Sequence, residues 1–335
     1  MAESEDREDR GGLTLVGAIN RALHEAMEAD EAVVTLGEDV GVDGGVFRVT
    51  DGLIEKFGEA PVMDTPLAES GIVGVAAGMA INGLRPVPEM QFSGFSCHAF
   101  AQIENHVSRY RRRTRGAHGM PMVIRMPYGA GVRALEHHSE SREVFYAHMP
   151  GLKTVIPATP RRARALLRAA IDDPDPVIFM EPKAIYRSFR AEVPEEPDEA
   201  RIGAARRVRE GDAMTVVAWG AMLHRALEAA DELSDEDGAE AEVLDLETIS
   251  PVDHDAIVES VRRTGRLLIV CEAPLSYGPA GEIAMRAMEG AFFSLTAPVR
   301  RVCGWDVPVP FFAREQIYLP SAERMLRAMR GLLGT

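Results

Sequence analysis

The strongest constraint on this chain is an alternation that runs through it twice. From Leu13 onward, stretches with apolar residues at helical spacing take turns with short runs that are apolar almost without interruption. A run with no polar side is buried on both faces, and strands joined through helices run parallel. The pattern therefore predicts helix-covered parallel sheets rather than a bundle or a β-sandwich. Leu15, Ile19, Leu23 and Met27 recur every four residues and share one helix face. Buried strands are predicted over 32–39, 87–92, 122–126, 153–156 and 177–181, with helices over 69–84, 96–113 and 160–172. The alternation breaks at 188–203, SFRAEVPEEPDEARIG, where Pro and Glu replace apolar periodicity, and this reads as an interdomain linker. It restarts with MTVVAWG, AEVLDLET, RLLIVCEA and APVRRVC as strands, with helices near 221–234, 253–263 and 279–290 and a last one over 321–333. An α/β chain of two doubly wound domains, 13–187 and 204–335, is predicted. That division also suits 335 residues, more than a single core usually holds.

Charge and cysteine usage narrow the partners. A formal net charge of -15 repels phosphate backbones at long range, which argues against nucleic acid. Cys97, Cys271 and Cys303 are far apart and show no metal-ligand spacing, so neither a disulfide framework nor a zinc site is expected, and a reducing cytoplasm is. The opening MAESEDREDR lacks the basic-then-apolar order of a secretion signal, and no apolar stretch approaches a membrane span. Residues 1–12 are expected to be a solvated, disordered acidic tail.

Chemistry is expected where α/β sheets place it, in loops beyond the carboxyl ends of strands. Of nine histidines, most read as surface or structural residues, but His137 and His138 lie in YGAGVRALEHHSES, a long turn-rich segment after a strand. Glu69, in MDTPLAESGI, opens the helix predicted over 69–84. A carboxylate there can simply complement the helix dipole. Alternatively, Gly71, Gly74, Ala77 and Gly78 let another backbone approach closely, and a carboxyl group beside that packing would be desolvated and fit to exchange a proton with a bound base. GEDVGVDGGVFRVT, after the first strand, has neither common phosphate-loop order, and its acids repel phosphate, which favours packing at a subunit junction.

Taken in order, LGEDVG, GGVFRVTDGL, KFGEAPVMDTPLAESGIVGVAAGMAINGLRPVPEMQF, HHSES, PGLKTVIPATP, DPDPVIFMEPKAIYR, TVVAWG, EVLDLETISP, TGRLLIVCEAPL and VCGWDVPVP resemble the beta subunit of the decarboxylating component of 2-oxo acid dehydrogenase complexes. The resemblance covers nearly the whole chain from Leu13, and IFMEPKAIYR and LLIVCEAPL look more like the branched-chain members than the pyruvate members. It implies a thiamin-diphosphate-type pyrimidine-binding domain over 13–187 and a transketolase C-terminal-like domain over 204–335, in a heterotetramer with an alpha subunit. The implied activity is oxidative decarboxylation of a branched-chain 2-oxo acid or pyruvate, with acyl transfer to a lipoyl group on an acyltransferase core. Thiamin diphosphate would be shared between the subunits, the alpha chain holding its diphosphate through Mg2+ and a Gly-Asp-Gly motif that this sequence lacks.

Residue by residue, Glu69 matches the acid that hydrogen-bonds the aminopyrimidine ring, and Phe95 matches the aromatic residue stacked near it. Gln91, in the same stretch, would face the substrate channel; from the residues alone, Phe95 and Gln91 also read as core and turn positions. His138 matches the histidine of oxo acid handling and acyl transfer, which leaves His137 a packing or orienting role. Carbonyls at Met122, Ala170, Asp173 and Asp175 match a structural potassium site, in a turn that otherwise reads as an ordinary helix end at Pro174. Two further readings stay open: an acetoin-cleaving complex of the same architecture, and a non-catalytic assembly subunit with a degenerate pocket. Retention of Glu69, Phe95 and His138 counts against the second.

Overall fold

A computed structural model describes residues 12–196 and 198–334; the expected acidic tail, Gly12 apart, lies outside them. The strands are β1 (Val33–Gly37), β2 (Val62–Asp64), β3 (Arg85–Glu89), β4 (Val123–Tyr128), β5 (Lys153–Val155), β6 (Val177–Pro182), β7 (Arg206–Arg209), β8 (Met214–Ala218), β9 (Ala241–Asp245), β10 (Thr248–Ser250), β11 (Leu267–Pro274) and β12 (Arg300–Gly304). They form a seven-stranded sheet in the order β10-β5-β6-β4-β3-β1-β2 and a five-stranded sheet in the order β12-β11-β8-β9-β7. All pairings are parallel except β10 with β5 and β7 with β9.

The apolar runs are buried on both faces because successive residues serve opposite layers. Val177 and Phe179 join Leu15, Ile19, Leu23 and Leu166 on one side of the first sheet, while Ile178 and Met180 join Ile72, Val73 and Ile103 on the other. Helix starts are set by side-chain caps: Thr14 accepts from Gly17 N at 3.2 Å, and Thr159, with Pro160 next to it, accepts from Arg162 N at 3.3 Å. Ser321 caps the last helix, Ala322–Leu333, in the same way. At the centre of the first sheet the fully buried Arg125 bonds Glu89 at 2.7 Å on β3 and Glu181 at 2.7 Å on β6, and the Tyr186 hydroxyl donates to Glu181 at 2.5 Å.

Several elements differ from expectation. The single helix expected over 96–113 is broken into a 3-10 turn (Phe95–His98), a short α turn (Phe100–Gln102), a π turn (Ile103–Val107) and a last α turn (Tyr110–Arg113). Ser108 shows why: its amide reaches back five residues to Ile103 O at 2.9 Å, and its hydroxyl takes Glu104 O at 2.7 Å, in place of regular helix bonding. The strand expected over 87–92 lies earlier, at Arg85–Glu89, and frees Gln91 and Phe92 for the loop that follows. β7 matches no expected strand, and the run AEVLDLET, expected as one strand over 241–248, is divided between β9 and the start of β10.

The expected linker is no free tether. Arg164 donates to the carbonyls of Pro194 and, at 2.6 Å, Glu195, and Arg162 donates to Glu199 O at 3.3 Å while pairing with Glu247. Nor do the sheets part there, because β10, from beyond the linker, adds antiparallel to β5 with Thr248 opposite Val155 and Ser250 opposite Thr154.

Candidate active site

β4, β3, β1 and β2 lie side by side and parallel, so the segments that leave them emerge along one edge of the sheet. Those segments carry Glu38 and Asp39, the stretch from Thr65 to Glu69, the stretch from Met90 to Phe95, and the loop from Gly129 to Glu140. Glu69 is the first residue of the helix Glu69–Ile81 and only 7% exposed, and that helix packs against the Phe95–His98 turn. Glu38, buried to the same 7%, was missed by sequence reasoning; its only signal is an acid placed directly after a buried strand. Burial, and then the charges of Glu69 and Asp39, hold the Glu38 carboxyl above the usual carboxylate range. Two carboxyl groups thus share one desolvated corner.

Gln91 does not extend into open space: its amide donates to Asp39 Oδ2 at 3.1 Å, with Asp39 in the left-handed region at φ 59°. Phe95 and His138 do come together, and Phe92 joins them. The His138 ring meets Phe92 edge-on at 4.5 Å and Phe95 at 5.1 Å between centroids, with the two Phe rings 5.4 Å apart. Its Nδ1 is buried without a hydrogen-bond partner among the described residues. The neighbouring His137 ring is exposed.

The approach of the two loops depends on Gly94. A Cβ there would lie 1.9 Å from the His137 carbonyl oxygen, so no larger residue fits without moving the histidine loop. Ser93 ties the same loops together through its hydroxyl to Glu140 O at 2.8 Å. Beneath Phe92 lies Lys183, 3% exposed, its Nζ 5.6 Å from the ring centroid and bonded to Gly129 O at 2.7 Å. Burial pushes its ammonium well below the ordinary lysine value, against the pull of Glu272 and Glu315.

At the turn expected to hold potassium, Asp173 N bonds Ala170 O at 3.3 Å and Val177 N bonds Met122 O at 3.0 Å. The Asp173 carboxylate is taken by Lys153, at 2.5 and 2.6 Å, and that of Asp175 by Arg111. The side-chain charge there is already balanced, while each carbonyl keeps a second lone pair. Among the described residues no group of three or more His, Cys, Asp or Glu is placed to hold a metal ion, and no helix is long and apolar enough to cross a membrane.

Comparison with known proteins bears on this geometry. Residues 12–188 match the family model for the transketolase pyrimidine binding domain and residues 203–325 that for the transketolase C-terminal domain. The pyruvate dehydrogenase E1 component subunit beta of Acholeplasma laidlawii is 50% identical over 320 residues, covering 96% of this chain and 98% of that one. This chain belongs to the E1 beta subunits of 2-oxo acid dehydrogenases. Another E1 beta relative, the 3-methyl-2-oxobutanoate dehydrogenase subunit beta of Mycobacterium tuberculosis, is 47% identical over 321 residues, 96% of this chain and 92% of its own. Identity therefore does not divide pyruvate-named from branched-chain-named E1 beta chains here. A solved structure described as a split gene transketolase, an inactive beta4 tetramer, shares the fold at a TM-score of 0.77 and 25% identity, covering 97% of this chain and 99% of its own. The expected two-domain α/β architecture holds.

Proposed function

We propose that this E1 beta chain supplies the pyrimidine side of a thiamin diphosphate site completed by an alpha subunit, and that the assembled enzyme decarboxylates a 2-oxo acid and passes the acyl group to a lipoyl group on an acyltransferase core. The observation that carries this is the convergence, at one sheet edge, of a buried helix-opening carboxyl at Glu69 with a His138 ring held edge-on by Phe92 and Phe95. Those residues fit an aminopyrimidine: a desolvated acid for a ring nitrogen, a flat apolar wall, and a buried imidazole nitrogen left unpaired. When bound, thiamin diphosphate supplies the carbon nucleophile for the oxo acid carbonyl.

The chain's own residues then divide the work. Glu69 exchanges a proton between its carboxyl and the ring nitrogen, and Glu38, held above the usual carboxylate range by burial and then by the charges of Glu69 and Asp39, stands beside it. Phe95 packs against the ring. Gln91, tied to Asp39, walls the channel without reaching across it. His138 gives a proton to the sulfur that leaves when the lipoyl disulfide opens.

With no Gly-Asp-Gly in the sequence, Mg2+ and the diphosphate fall to the alpha subunit. The small-residue face of the helix Glu69–Ile81 supports an outside partner, because among the described residues nothing beyond the helix's own neighbouring backbone comes within 4 Å of a Cβ built on Gly78, and Val75 and Ile81 are half exposed. Potassium is proposed at the backbone carbonyls of Met122, Ala170, Asp173 and Asp175, leaving the two carboxylates to Lys153 and Arg111. Exchanging K+ for a bulky organic cation should then lower the melting temperature, and an unchanged one would remove the site. The free cysteines suit the proposed cytoplasmic setting.

A non-catalytic assembly role leaves the buried Glu69 and the unpaired His138 nitrogen without purpose. The test is decarboxylation by the alpha/beta complex, supplied with thiamin diphosphate and Mg2+, on branched-chain oxo acids, pyruvate and acetoin. The runs IFMEPKAIYR and LLIVCEAPL favour the branched-chain acids. Acetoin cleavage alone would replace the dehydrogenase reading, and a stable complex inactive on all three would restore the assembly role.

A further inference from the structure

The loop that carries His138 takes its shape from the second domain. Gly129 N is satisfied within the loop by Glu140 O at 3.1 Å, but the donors that follow point away from the first domain. Ala130 N donates to Glu272 Oε2, and Gly131 N and Arg133 N donate to the two separate oxygens of Glu315, each bond 2.9 Å long. Glu272 stands on β11 and Glu315 opens the short helix Glu315–Tyr318. Both are buried, at 3% and 1% exposure.

The backbone they hold is one that does not hold itself. Gly129, Gly131 and Arg133 all have positive φ, at 84°, 105° and 58°, and a non-glycine residue in that region persists only where its surroundings fix it. The contact is tight enough that a Cβ on Gly129 would lie 2.6 Å from the Glu272 carboxylate. From below, Lys183 donates to the Gly129 carbonyl, with its Nζ near enough to both carboxylates for their charges to oppose the effect of its burial. The loop is thus gripped by its backbone from both domains, five residues before the imidazole.

We infer that Glu315, together with Glu272, is a positioning residue for acyl transfer: the second domain latches the Gly129–Arg133 backbone and thereby sets where the His138 ring stands. The inference rests on the reading of His138 as the proton donor to the leaving lipoyl sulfur. Its chemistry is specific to a carboxylate, since the two oxygens of one group accept from two amides at once. Glu315→Gln preserves the volume but turns an NH2 against one of the two amide donors, so a single bond is lost and the chain still folds.

The experiment uses the intact alpha/beta complex and reads two quantities. The first is the rate of tryptic cleavage after the exposed Arg133, followed by mass of the fragment, which reports loop opening without reference to activity. Glu315→Gln is expected to speed it about tenfold, the equivalent of one lost charge-assisted hydrogen bond. The second is lipoyl acylation, whose kcat should fall about tenfold with little change in KM for the oxo acid, and should fall no further when the substitution is made in a His138→Ala background. Cleavage at the wild-type rate would overturn the latch. Equal fractional losses in both backgrounds would overturn the positioning role and leave a merely structural one. Unchanged acylation by His138→Ala alone would instead sink the reading of His138, and the positioning role with it, while the cleavage rate would still decide the latch.

Discussion

Glu143 begins the helix Glu143–Ala147 directly after the histidine loop. It is fully buried, and neither carboxyl oxygen has a well-aligned hydrogen bond among the described residues. Burial pushes its pKa up to about 7; its own amide and the Trp219 indole, near but off line, pull it down, and the charge on Glu272 adds to the rise. Because the folded value stands above the ordinary 4.5, the group's contribution to stability is complete below 4.5 and is lost as pH rises through about 7. The gap from 4.5 to about 7, at about 1.4 kcal/mol per pH unit, comes to about 3 kcal/mol. Tyr128, Tyr318 and Cys271 face the same pocket and are pushed upward too, so they stay neutral across this window and Glu272 is the ionising neighbour. Glu143→Gln has the same shape and cannot ionise. Its melting temperature should lie close to wild type at pH 5 and rise above it by about 4 °C at pH 8.5, for a chain of 335 residues. Scanning calorimetry of the assembled complex across pH, at fixed ionic strength, measures this. An offset between the two proteins that does not change with pH would refute the reasoning.

Three further substitutions probe the site and its support. Glu69→Gln should slow proton exchange at the bound cofactor by at least about a hundredfold, as loss of a general acid does, with assembly intact; NMR of the exchanging proton decides it, and a wild-type rate would remove Glu69 from the reaction. Gly94→Ala drives a methyl group into the His137 carbonyl and should cost about 1–3 kcal/mol of stability together with most lipoyl acylation, so a variant with normal acylation would show that the two loops need not touch. Arg125→Met strands Glu89 and Glu181 in the first core and should cost about 3–5 kcal/mol. The Glu181 carboxyl is already pushed up by burial, so protonation relieves part of this loss, and the drop in melting temperature should be smaller at pH 5 than at pH 8.

What could be read in advance follows from the range of the interaction concerned. β1, β4 and β6 are buried at every position, so runs that are apolar apart from Thr35, Arg125 and Glu181 were sufficient to find them. The caps at Thr14, Thr159 and Ser321 act within three residues, and the helices they begin were found as well. β7 is RRVR; its arginines are satisfied by Glu242, Glu247 and Asp231, carboxylates far along the chain, and nothing local marks it as a strand. The site divides in the same way. Glu69, opening a helix, and His138, in a loop, both lie on segments whose position after a strand is visible, and the family resemblance singled them out. Glu38 matters through Glu69, Phe92 through His138, and Glu315 through amides more than 180 residues away, so each became meaningful only once the chain was folded.

The addition of β10 to the first sheet bears on how this protein comes off the ribosome. When residue 187 has been made, every parallel strand of that sheet exists, yet the outer side of Lys153–Val155 still presents open backbone groups until residues 248–250 arrive. During that interval the half-made chain carries an unprotected edge, a template for a neighbouring nascent chain as much as for its own β10. The unit that folds is therefore longer than the unit the linker delimits. A gene cut at the linker would release a first half that aggregates, whereas a first fragment supplied with the Thr248–Ser250 strand would close its edge.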